Sequence, residues 1–113
     1  MKLYNMKESK KIQVTVIGYL GNEPSEWIKC TFKDYYGNSW DITIKDCDIS
    51  GSWERQEVQF PVIGYLHGHV INQIKENRET IFEFDADISG SRKLNGEIIS
   101  ETVFMISEKN ILS

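Results

Sequence analysis

Phe82-Glu83-Phe84-Asp85-Ala86-Asp87-Ile88 alternates apolar and acidic side chains over seven positions, which is the period of a half-buried strand rather than of a helix. On such a strand Phe82, Phe84, Ala86 and Ile88 face a core. Glu83, Asp85 and Asp87 then face outward in one row, about 7 Å apart. Like charges in a row do not help folding, so the expectation is a concentrated negative stripe on the surface.

The end of this strand belongs to an echo. Residues 85–91, Asp-Ala-Asp-Ile-Ser-Gly-Ser, return residues 46–52, Asp-Cys-Asp-Ile-Ser-Gly-Ser. A second echo precedes each: Val16-Ile17-Gly18-Tyr19-Leu20 recurs letter for letter as Val62-Ile63-Gly64-Tyr65-Leu66. Two matched blocks in one order suggest an internally duplicated β unit. From Asp46, acids at positions 1 and 3, serine at 5, glycine at 6 and Glu57 at 12 also fit a calcium loop of the helix-loop-helix kind. In the second copy position 12 is Gly96 and the flanks alternate as strands, so outward acids at a strand end are the stronger reading. In the first copy Ile42 and Ile44 stand on the opposite phase from Cys47 and Ile49, which places a bulge near Lys45, and Asp46, Asp48, Glu54 and Glu57 then face water.

Strand periodicity extends through the rest of the chain. Ile12, Val14, Val16, Gly18 and Leu20 share one face, and Val58, Phe60, Val62, Gly64 and Leu66 repeat that phase, with Pro61 arguing for an edge or a bulge. Gly18 and Gly64 hold matching inward positions, suited to a bend or to close packing against an aromatic. Ile28, Cys30 and Phe32, the turn residues 34–38, and Trp40, Ile42 and Ile44 form a hairpin. Residues 70–75 and 79–88 flank a short turn, although 71–78 also has some helical character. Residues 89–96 read as a polar loop before a last strand at 97–107, and 22–25 close the first turn. The whole predicts an all-β fold of seven to eight strands, an antiparallel sandwich or a partly open up-and-down barrel.

With 113 residues, 40% of them apolar, the chain is long enough for a single core, so 1–113 is expected to be one β domain. Lys2, Lys7, Lys10 and Lys11 against Glu8 leave the first eleven residues at +3, a basic segment free to be flexible, and the remainder at −7. No segment has the length and apolarity of a signal peptide or a membrane span, and an acidic body disfavours a phosphate backbone. The expectation is therefore a soluble cytoplasmic protein that binds neither nucleic acid nor membrane and suits a basic partner. Cys30 and Cys47, each beside strand-like apolar residues, are expected to be reduced core thiols.

Three further groups of residues bear on function. His67 and His69, with Tyr65, project from one face of a strand, but the chain has no third histidine, so no metal or other cofactor is expected. No nucleophile motif or phosphate-cradling loop is present, and the chain is expected not to be an enzyme. Tyr35 and Tyr36 sit at a hairpin tip and Trp53 follows the first acid motif, residue types that anchor protein interfaces beside carboxylates. Trp27 and Trp40 are expected in the core.

In size, acidity, short-stranded β pattern and the acid stripe at Glu83, Asp85 and Asp87, the chain resembles the small cytoplasmic immunity proteins that bacteria pair with toxins of contact-dependent growth inhibition. The resemblance implies a non-enzymatic protein that covers the active site of a toxin domain, often a basic nuclease, with acids and aromatics. The partner-binding residues expected on that reading are Tyr35, Tyr36, Asp46, Asp48, Trp53, Glu54, Glu57, Glu83, Asp85 and Asp87. A β barrel holding a small ligand inside, and a metal-dependent enzyme built on His67 and His69, are the alternatives.

Overall fold

The computed structural model describes residues 8–21, 26–51 and 59–113. Among the described residues there are eight strands: β1 (Glu8–Tyr19), β2 (Trp27–Lys33), β3 (Ser39–Lys45), β4 (Ile49–Ser50), β5 (Val62–Glu76), β6 (Glu79–Leu94), β7 (Glu97–Ser107) and β8 (Ile111–Leu112). Every pairing is antiparallel. The path runs β4-β5-β1-β2-β3-β6-β7, and an additional β5–β6 pairing closes β1, β2, β3, β6 and β5 into a five-stranded barrel. Between β3 and β6 the ring is joined at Asp41 and Ser91.

Alternation puts the apolar phase of each strand inside. Ile12, Val14 and Val16 from β1, Ile28, Cys30 and Phe32 from β2, Trp40, Ile42 and Ile44 from β3, Leu66 from β5, Phe84 and Ala86 from β6, and Phe104 and Ile106 from β7 form one buried cluster. Phe104 anchors it, meeting Phe32 and Trp40 edge-on at 5.1 and 5.0 Å. Phe84 and Phe104, both almost fully buried, fill the interior together with these aliphatic side chains, while Phe60 and Phe82 pack at its margin. Two concavities of about 430 and 280 Å³ lie on the outside of the fold, one beside His67 and His69 and one beside Phe32 and Ile106.

Two glycines permit close approach. A Cβ on Gly64 would lie 2.8 Å from Ile49 Cγ2 and 2.9 Å from Val16 Cγ2, so β5 seats there against aliphatic side chains of β4 and β1, not against an aromatic. At Gly68 a Cβ would run into the Asp85 carbonyl oxygen and lie 2.7 Å from the Phe84 ring, which is how β5 and β6 come together over the core.

Several sequence expectations are corrected. Residues 89–94 continue β6 instead of forming a polar loop, and the turn is confined to Asn95 and Gly96, both at positive φ. Residues 71–76 are strand, and the hairpin turns on Asn77 and Arg78 at φ 51° and 68°, the paired left-handed positions that suit a tight β turn. Residues 8–11 of the basic segment belong to β1. Pro61 stands one residue before β5, where its missing N–H interrupts no ladder. Trp27 is 40% exposed and Cys47 is exposed, because Trp27 falls on the outward phase of β2 and Cys47 on a 3₁₀ turn, Asp46–Asp48, instead of a strand. The first-turn expectation at 22–25 lies outside the described residues. No helix of the described residues is long and apolar enough to cross a membrane.

The echoed blocks differ most. Val16 pairs with Val62, so the two pentapeptides run away from each other on adjacent strands. A bulge between Val16 and Gly18 inserts one residue into the first copy and reverses its phase: Tyr19 packs inward and Leu20 is 48% exposed, while Leu66 is 2% exposed. In the acid echo, the first copy forms the 3₁₀ turn followed by β4, and the second is strand with a bulge between Asp85 and Gly90.

Candidate functional site

His67-Gly68-His69 lies in the middle of β5, and its neighbours come from both echoes. Inward Gly68 leaves His67 and His69 on the outer face, as the spacing predicts. On one edge of β5, β1 places Lys11 opposite His67 and Ser9 opposite His69. On the other edge β4 pairs Ser50 with Tyr65, and β6 pairs Asp85 with His69. Ser50 Oγ lies 2.8 Å from His67 Nε2, and Asp87 Oδ2 lies 3.4 Å from His69 Nδ1. Each Asp-x-Asp-Ile-Ser repeat thus contributes one side chain to the histidine segment. With Ser9, Lys10, Lys11 and Ser113, the histidines and Asp87 line an outer cleft of about 430 Å³.

Two registers bring the acid motifs into one region. Ser50 and Asp85 share one edge of β5, opposite residues four apart, a spacing of roughly 13 Å. From the Asp41–Ser91 pair, β3 runs onward to the 3₁₀ turn at Asp46 and β6 runs back to Asp87, which in antiparallel register is the same direction. The turn that carries Asp46 and Asp48 and the bulge that carries Asp85 and Asp87 therefore both border the same edge of β5. Lys45, which ends β3, lies 3.7 Å from Glu26 and over the Trp27 ring at 5.7 Å. On the far side of the histidines Lys11 sits 5.1 Å from the Tyr65 ring centroid. The face is therefore polarised: lysines from β1, a histidine seam, then aspartates.

The expected regular row of Glu83, Asp85 and Asp87 is broken. Asp87 has φ 59°, and its N–H donates to Asp85 Oδ1 at 2.9 Å, so Asp85 fixes the bulge while Asp87 swings to His69. Glu83 remains on β6, between Asn72 and Met105. The signal for the bulge was present in the Asp-x-Asp-x-Ser-Gly pattern, since aspartate both tolerates left-handed backbone and accepts a bond from two residues on.

Tyr35 and Tyr36 occupy the β2–β3 turn, at the opposite end of β3 from Asp46, so the expected partner-binding residues divide into two places. Asp34 builds this turn: Oδ1 accepts the Tyr36 and Asn38 N–H groups, both at 2.9 Å, and Oδ2 accepts the Trp40 indole N–H at 2.9 Å. The turn is tied to β7 by Tyr35 N–H donating to the Met105 carbonyl at 2.7 Å. The two rings meet edge-on at 5.1 Å, and Tyr36, 56% exposed, donates its hydroxyl to Glu76. Desolvation of that hydroxyl first, then the Glu76 charge, raises the Tyr36 pKa. Sequence reasoning missed Asp34 and Glu76 as the residues that orient the pair.

Trp53, Glu54 and Glu57 lie outside the described residues, and with them the twelfth position of the calcium reading. Neither flank of Asp46–Asp48 is a long helix, and the described residues hold no group of three histidine, cysteine or carboxylate side chains placed to bind a metal. A metal enzyme built on His67 and His69 lacks its third ligand among them. No family model, curated protein or solved structure matches this chain.

Proposed function

We propose that this chain is a non-enzymatic binding protein that neutralises a cationic protein partner on its aspartate face, in the manner of a cytoplasmic immunity protein covering a basic toxin domain. One observation carries the reading: the two Asp-x-Asp motifs, far apart in sequence, border the same edge of β5, where Ser50 reaches His67 and Asp87 reaches His69, while the adjacent Lys45 is engaged by Glu26 and Trp27. Concentrating like charge in this way opposes folding, and a partner of opposite charge relieves it. Tyr35 and Tyr36, in the turn that Asp34 builds, supply a second, aromatic contact at the far end of β3.

The first test is genetic. A gene for a large toxin is expected beside the gene for this chain, and producing the chain restores growth to cells making that toxin. A metabolic operon in that place, or absence of protection, overturns the reading. The second test is kinetic, with Asp46, Asp48, Asp85 and Asp87 all replaced by Asn, which keeps the Oδ1 acceptor that holds the Asp85–Asp87 bulge. Association is expected to slow about tenfold or more at low salt and to lose most of its salt dependence. Unchanged kinetics remove the aspartate face from the interface.

A further inference from the structure

β7 lies outside the five-stranded ring, at the end of the strand path and paired with β6. Ser100, Glu101 and Thr102 are three consecutive exposed strand residues, so both faces of β7 meet solvent there, and Ile98 is 68% exposed. One edge of β7 is paired with β6 along 97–107. On the other edge, among the described residues, the only backbone bond from outside the strands is that of Tyr35 N–H to the Met105 carbonyl, and 97–103 pair with no strand.

A long unpaired edge presents free backbone donors and acceptors to any extended chain, and proteins commonly blunt such edges with proline, lysine or a bulge. Residues 97–107 contain no proline, glycine or lysine. They carry instead Glu97 and Glu101, four apart and so on one face of the strand, with no ion pair among the described residues. Of the two nearby cations of β6, Arg92 lies over the Trp40 ring at 5.1 Å, and Lys93 stands opposite Ile98, on the other face of the hairpin from Glu97 and Glu101.

We propose that the edge of β7 over 97–103, unpaired among the described residues, is a strand-addition site for an extended segment bearing lysine or arginine at alternate positions, which pairs its backbone with β7, its cations with Glu97 and Glu101, and an apolar side chain with Ile98. Charge selects this occupant over a second copy of the chain. Two β7 edges paired antiparallel would bring four carboxylates onto one short ladder, and in the register centred on Ile99 would set Glu97 directly against Glu101. The inference takes the positive charge of the partner from the proposed function and adds its conformation and a contact outside the aspartate face.

The probe is a blocked hexapeptide alternating lysine with valine or threonine, followed by amide hydrogen exchange and chemical shifts. Alternate backbone amides within 98–103 are expected to gain about tenfold protection or more, with binding lost when the peptide is N-methylated on its pairing edge or carries glutamate in place of lysine. E97K/E101K, at exposed positions that leave the fold unchanged by circular dichroism, is expected to abolish the effect. Absence of binding at millimolar peptide overturns the proposal, as does equal binding of the glutamate or N-methylated peptide. Shifts confined to Asp46, Asp48, Asp85 and Asp87 overturn strand addition while sparing the cationic partner of the proposed function. Concentration-dependent dimerisation that protects the same β7 amides without peptide overturns the choice of occupant.

Discussion

Tyr19 and Tyr65 hold the same place in two identical pentapeptides, yet Tyr19 turns inward to meet Phe60 edge-on at 5.2 Å and Tyr65 turns outward beneath the Lys11 ammonium. The bulge between Val16 and Gly18 accounts for the difference, because one extra residue exchanges the faces of everything after it. The bulge lies at the end of β1, where the strand leaves the β5 ladder at the Val16–Val62 pair.

The two tyrosines should therefore respond differently to truncation. Tyr19→Ala removes a ring packed against the core and is expected to cost about 2–3 kcal/mol, whereas Tyr65→Ala is expected to cost less than about 1 kcal/mol. Urea denaturation of both variants measures this, and equal losses contradict the phase assignment.

Asp34→Ala leaves two backbone N–H groups and the Trp40 indole N–H without their acceptor. Since bonds to a charged acceptor contribute about 1.5–3 kcal/mol each and the site is partly solvated, a total loss of roughly 2–3 kcal/mol is expected. Trp40 fluorescence should change with it. Asp34→Asn, which retains one acceptor oxygen, is expected to fall between.

At Gly68 the obstruction is backbone, the Asp85 carbonyl, so Gly68→Ala must separate β5 from β6. A loss of about 2–4 kcal/mol is expected, together with weaker amide protection across the 69–85 pairing. A variant as stable as the parent would show that the two strands do not approach so closely.

Burial raises the Cys30 thiol pKa from 9.0 to about 11, while Cys47 is exposed. An alkylating reagent at pH 8 is therefore expected to modify Cys47 alone in the native protein and both thiols after unfolding. Keeping the neutral thiol buried contributes stability that is complete below pH 9, where the unfolded thiol is also protonated. That contribution is lost as pH rises from 9 to about 11, by about 2–3 kcal/mol at most. Native-state labelling of Cys30 at pH 8 as fast as Cys47 contradicts this.

Much of the surface chemistry was also legible in the sequence: the outward pair His67 and His69, the tyrosines at the 34–38 turn, and acids facing solvent in both repeats. Their grouping was not. Nothing in the sequence places Ser50 beside His67 or Asp87 beside His69, because those contacts depend on both β4 and β6 pairing with the same edge of β5. The row through Glu83, Asp85 and Asp87 failed for a related reason. Strand period gives direction only while the ladder is regular, and Asp87 at φ 59° interrupts it.

By itself the sequence determined the all-β class, the inward phases of β2, β3 and β5 and that of β1 as far as Val16, the β2–β3 and β5–β6 hairpins and the acidity of the body, since period and turn chemistry are local properties. Tertiary structure decided the closure of the barrel between β3 and β6, the bulges and the fate of each echo. Identical letters adopted different conformations because strand partners, not propensity, decide which face of a pleated chain is buried. The acid repeats consequently act less as two copies of one unit than as two sources of aspartate for one face.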